Sequence, residues 1–159
     1  AHSSLHRFLA HHAPADNDCH DDNDDDGRTT RNNALLSAAS SGNDALVVQL
    51  LDQGADINRH APLCLRAPLH EAALYGRTST CQILLARQAD ANICCTNSNT
   101  ALDLAAGNGR TAICKMLIAA KADIDARACH NATALHVAAG YGNHAVCTVL
   151  VEHGADTPM

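Results

Sequence analysis

Residues 134–156 read ALHVAAGYGNHAVCTVLVEHGAD, and their apolar positions fall on two short helical faces. Leu135, Ala138 and Ala139 lie three and four residues apart along the chain, the spacing of a buried helical stripe. Val146, Cys147, Leu150 and Val151 form a second stripe after the Gly-Tyr-Gly break. Thr133 precedes the first stripe and is a good N-cap, because its hydroxyl can accept from the free amides of the first turn. Gly142 ends that helix, being comfortable at the positive φ of a C-cap. The second helix closes at Gly154. The stretch therefore predicts a pair of helices joined by a tight turn.

The same pattern runs through most of the chain. Small-residue pairs followed by glycine occur as AASSG (38–42), AALYG (72–76), AAGNG (105–109) and AAGYG (138–142), and their final glycines are 34, 33 and 33 residues apart. Twelve residues after each comes GAD (54–56), QAD (88–90), KAD (121–123) or GAD (154–156). Upstream stand NALL, APLH, TALD and TALH, again in step. One helix pair cannot bury its own apolar face, so a stack of such units is the natural solution.

Composition supports that picture. Of 159 residues 47% are hydrophobic, yet there are only one Phe, two Tyr and no Trp. A core without large rings must be assembled from many small, regularly stacked contacts. Small alanines also let neighbouring helices approach closely.

The net charge of −6 is a local effect, since residues 1–27 hold seven Asp against Arg7 alone and the remainder is balanced. A neutral body without a basic stripe lacks the footprint that nucleic-acid binding needs. No apolar run approaches the ~18–20 residues that span a bilayer. The first residues also lack the apolar stretch of a secretion signal. A reducing compartment, the cytoplasm or the nucleus, is expected. Ala1 in place of Met reads as a chain processed or cut from a longer one.

The motifs APLHEAALYG, TALDLAAGNG and TALHVAAGYG, each followed by a GAD-like turn, resemble the ankyrin repeat over residues 28–159. The resemblance implies an all-α fold, a solenoid of stacked antiparallel helix pairs with β-hairpin fingers along one edge. Its units are 28–58 (degenerate, with Asn33-Ala34-Leu35-Leu36 in the cap motif), 59–92, 93–125 and 126–159. Residues 1–27 form a His- and Asp-rich segment, either a flexible tail or part of a preceding repeat with a long insertion, in which Leu5, Phe8 and Leu9 would be apolar. One extra residue falls in the finger NRHAPLCLRA. The last repeat keeps an apolar second helix where a terminal cap would turn polar. Either a further repeat or a partner would cover it.

Periodicity sorts the reactive residue types. Cys81, Cys114 and Cys147 share one slot of the second helix, filled by Val47 in repeat 1, so they read as small core residues. Cys19, Cys64, Cys94, Cys95 and Cys129 fall outside that slot, the last four in the fingers. They have no CxxC spacing to preorganise zinc. By the resemblance, His70 and His136 are scaffold histidines that bond between finger and helix, with Asp103 in the same slot of repeat 3. His144 and His153 are expected to face solvent. Asp22, Asp24, Asp26 and Gly27 match half of a calcium loop, but Asn33 stands where that loop needs a bidentate Glu. Asn131-Ala132-Thr133 is a glycosylation sequon whose Thr is needed as a cap. No catalytic triad can be read, and no enzyme activity or cofactor is expected.

The resemblance implies a non-enzymatic protein-interaction module, a monomer that binds a partner protein on its concave face. Carried over by position, that face comprises Ser40, Ser41, Leu74, Tyr75, Gly107, Asn108, Gly140 and Tyr141 from the first helices. The fingers add Leu63, Cys64 and Arg66, then Thr96, Asn97 and Asn99, then Cys129 and His130. Leu63 with Leu65 makes the first finger apolar. Two rival readings stand: a metal-responsive protein using the His/Asp-rich N-terminus or the finger cysteines, and the targeting or regulatory segment of a larger protein. The family also includes substrates of asparaginyl hydroxylation, and Asn58 and Asn92 lie in matching motifs.

Overall fold

The structure, a computed structural model, describes residues 23–61 and 65–155. The described residues contain eight helices, stacked in pairs. These are α1 (Asn23–Ser41), α2 (Asp44–Asp52), α3 (Pro68–Leu74), α4 (Thr78–Ala86), α5 (Ala101–Gly107), α6 (Thr111–Ala119), α7 (Ala134–Gly140) and α8 (His144–Glu152). The odd helices pack on one another in sequence, α1 on α3, α3 on α5 and α5 on α7. The even helices form a parallel row outside them. The core between the rows is built from Leu69, Leu84, Leu102, Ile113, Leu117 and Leu150, with Ala72, Ala105 and Ala138 where helices cross closely.

The local signals act as expected. Thr100 Oγ1 accepts from the Asp103 amide and Thr133 Oγ1 from the His136 amide, capping α5 and α7. The first helices then stop at Gly42, Gly76, Gly109 and Gly142, whose φ values of 69–78° are open to glycine at no steric cost. A second constraint acts there. A Cβ on Gly42 would lie 2.9 Å from Arg77 Cδ, and one on Gly76 2.8 Å from Arg110 Cζ. Those arginines cross the glycine to bond the carbonyl end of the preceding first helix: Arg77 Nε donates to Ser40 O at 2.8 Å, and Arg110 Nη2 to Leu74 O at 3.4 Å. Asn143 fills the same slot in the last repeat and donates to Ala106 O at 2.7 Å.

Four differences from the sequence reading emerge. First, α1 is one unbroken helix of 19 residues where a finger, cap and short helix were expected. Its buried stripe of Asn32, Leu35, Ala38 and Ala39 continues through the degenerate cap motif, which therefore caps nothing. Asp24, Asp26 and Gly27 consequently lie on helical backbone, which cannot wrap a calcium ion as a loop does. Second, the fingers contain no strand among the described residues. The fingers of the third and fourth units are hairpin-type turns, with Asn97 and Ser98 at φ 71° and 61° and His130 and Asn131 at 61° and 62°. Cys95 N–H donates to Asn99 O at 2.9 Å and Ser98 N–H to Cys95 O at 3.0 Å, and Ala128 N–H donates to Ala132 O at 2.7 Å and Asn131 N–H to Ala128 O at 3.0 Å, the bonds of a turn rather than of a ladder.

Third, in α8 it is Val149 that is buried beside Val146 and Leu150, while Val151 is 47% exposed. Fourth, His136 is exposed and makes only its own capping bonds to Thr133. The finger that would lie over it is not among the described residues. The N-terminal reading of Leu5, Phe8 and Leu9, the histidines before residue 22, Cys19, Leu63 and Cys64 fall outside the described residues.

Candidate binding surface

A row of asparagines fixes how one unit sits on the next. Asn58 Oδ1 accepts from the Asp90 amide at 2.9 Å, and Asn92 Oδ1 from the Asp123 amide at 2.6 Å. Asn32, coming from α1 rather than from a finger, supplies the first rung to the Asp56 amide at 2.7 Å. These bonds set the register of the turns, and with it the spacing of the finger tips beside the first helices.

Most described residues assigned to the concave surface from sequence are open to solvent. Tyr141 is 74% exposed and Tyr75 41%. Thr96, Asn97, Asn108, Cys129 and His130 are also exposed, while Leu74, Asn99 and Arg66 are half-buried. Arg66 is tied to Glu71 by a charge-assisted bond, so it braces the first finger against α3. Leu65 is exposed in the left-handed region at φ 52°.

Three of these residues meet in one place. Asn99, Asn108 and Tyr141 line a cavity of about 340 Å³ between the third and fourth units, together with Asp103, Gly107 and Val137. Asp103 and Val137 were not among the sequence-assigned surface residues. Asp103 shares the repeat slot of His70 and His136. It is 3% exposed, and burial raises its carboxyl above the ordinary carboxylate range, opposed by its bonds to Thr100. His70 occupies the corresponding slot of α3. Its Nδ1 accepts from the Ala67 amide at 3.0 Å, so Nε2 carries the proton and donates to Ile93 O at 3.0 Å.

The cysteines divide as periodicity required. Cys81 and Cys114 are fully buried, and burial pushes both thiols up to about 12. Cys147 is half-buried, in the last of the described helices. None of the six described cysteines is in a disulfide. Among the described residues no group of three or more His, Cys, Asp or Glu could hold a metal ion. Cys94, Cys95, Cys129 and His130 belong to no such group. No described helix is long and apolar enough to cross a membrane.

Comparison with known families agrees with this architecture. A family model described as ankyrin repeats (3 copies) matches residues 69–158, and another described as ankyrin repeats (many copies) matches residues 35–85. The chain belongs to the ankyrin-repeat family. Its degenerate first unit enters the match only at Leu35, twelve residues into α1. No curated protein matches the chain. Ankyrin repeats are general protein–protein interaction modules and are typically non-enzymatic.

Proposed function

We propose that this protein is a non-enzymatic adaptor that holds a partner protein on its concave face, across the turns and the first helices. The observation that carries this reading is the placement of the chain's two tyrosines. Tyr75 and Tyr141 occupy equivalent slots two units apart, and both are exposed although the core contains no aromatic residue among its described members. An exposed tyrosine offers a large contact area at small entropic cost, which is why it is enriched at binding hot spots.

Affinity capture from cell extract with the wild-type chain and with Tyr75→Ala/Tyr141→Ala tests the reading. Loss of specific captured proteins from the double variant, with its fold intact by circular dichroism, is the expected result. Retention of every captured protein would place binding elsewhere.

A further inference from the structure

The cavity between the third and fourth units exists because two slots are smaller there than in the second unit. Where α3 has His70, α5 has Asp103; where α3 has Leu74, α5 has Gly107. The imidazole of His70 reaches a carbonyl in the next turn, but a carboxylate at this slot cannot do the same. It is shorter, and an anionic oxygen does not donate to a carbonyl oxygen. Gly107 lacks the side chain that Leu74 carries. A Cβ placed on it would lie 3.0 Å from Val137 Cγ1 and 3.7 Å from the ring of Tyr141, so the glycine also admits those side chains.

The lining, which also includes Leu104, carries one acidic residue, Asp103. Asp103 Oδ2 accepts from the Thr100 amide at 2.9 Å and from Thr100 Oγ1 at 3.2 Å, while Oδ1 makes no hydrogen bond among the described residues. Asn108 commits its Nδ2 to Leu104 O at 2.8 Å, which leaves its oxygen as an acceptor. Among the described residues no Lys, Arg or His lines the cavity. An anion entering it would meet a carboxylate. An apolar anchor would cover that carboxylate without pairing it, which is the costly way to bury a charge. At about 340 Å³ the space lies at the lower end of the roughly 300–1,000 Å³ range of ligand pockets. That suits one inserted side chain.

We infer that this cavity receives a single basic side chain of the bound partner, arginine in preference to lysine, with Asp103 Oδ1 as its counter-charge and the Tyr141 ring as its cover. Arginine is preferred because its flat guanidinium can donate to the carboxylate and the asparagine oxygens at once while stacking on an aromatic face. This inference rests on the concave-face reading and assigns the partner's anchor.

Titration of the ¹⁵N-labelled protein with N-acetyl-arginine amide, followed by NMR, provides the test. Saturable shifts are expected at Gly107 and at the side-chain amides of Asn99 and Asn108, with a dissociation constant on the order of 1 mM. N-acetyl-citrulline amide, uncharged but similar in shape, should bind at least about tenfold more weakly, as should arginine amide on Asp103→Asn. Asp103→His, which restores the residue of the second unit, should abolish the shifts; it also guards against a folding defect in the first variant. Equal binding of citrulline, or undiminished binding to Asp103→Asn, would overturn the inference. In the capture experiment, partners lost on changing the tyrosines but kept by Asp103→Asn would refute the basic anchor and leave the concave surface standing. Partners kept through all the changes would refute both.

Discussion

The ring of His70 joins two units of the stack, its Nε2 lying 3.0 Å from the carbonyl oxygen of Ile93 in the next turn. The side chain is fully buried, and burial lowers its pKa from 6.5 to about 4 against the opposing pull of the carbonyl bonds. The folded protein thus needs the neutral ring, while the unfolded chain takes up a proton first as pH falls. Its contribution is complete above pH 6.5 and is lost progressively as pH falls to about 4. The whole amounts to roughly 3 kcal/mol. Urea unfolding at pH 7.5 and 4.5 should show most of that loss in the wild type. In His70→Gln, which cannot titrate, the difference should shrink to the share of the other groups.

Backbone strain offers a second check. The residue closing each second helix is Gly54 or Gly154 in the outer units but Gln88 and Lys121 in the inner ones, both at φ 72°. A non-glycine residue in that region costs about 1–2 kcal/mol, part of which glycine returns through its freer unfolded state. Gln88→Gly and Lys121→Gly should each stabilise the protein by about 0.5–1 kcal/mol in chemical denaturation. Gly54→Gln should destabilise it by a similar amount.

Thiol chemistry should follow position in the stack. Cys94 and Cys129 are exposed, while Cys81 and Cys114 are sealed in the core with their thiols pushed up to about 12. Iodoacetamide labelling of the native protein, read by peptide mass spectrometry, should modify Cys94 and Cys129 first. Cys81 and Cys114 should react only at the rate of unfolding.

The asparagine rungs differ in burial and should differ in cost. Asn32 is 2% exposed, whereas Asn92 lies near the surface. Removing a buried acceptor leaves its donor unpaired, at about 1–3 kcal/mol. Asn32→Ala should lie in that range and Asn92→Ala near or below about 1 kcal/mol, as measured by thermal or urea unfolding.

The repeat was legible because the same slots are filled four times. Cys81 could be read as core only through Val47 and Cys114, and Thr100 as a cap only through Thr133. What comparison of slots could not supply was the neighbour across each interface. His70 and His136 occupy one slot, yet the first is buried under the next turn and the second is exposed. α1 runs through Gly27 and the degenerate cap motif, and Asn32 reaches the Asp56 amide from a helix where the later units use a residue of the turn. The cavity was harder still. It is missing volume, created jointly by Asp103 and Gly107, and no single slot of the repeat pattern carries it.

Among the described residues the final helix pair is held from one side only, as Val151, Cys147 and His136 all show by their exposure. In a stack whose units touch only their neighbours, such an outermost unit opens most readily, and its amides exchange with solvent soonest. Tyr141 belongs to that loosest unit, whereas Asp103 and Gly107 belong to the one beneath it. Whatever occupies the space between them clasps the two together. Occupancy would then be read out as order: a frayed end drawn into the cooperative body of the solenoid.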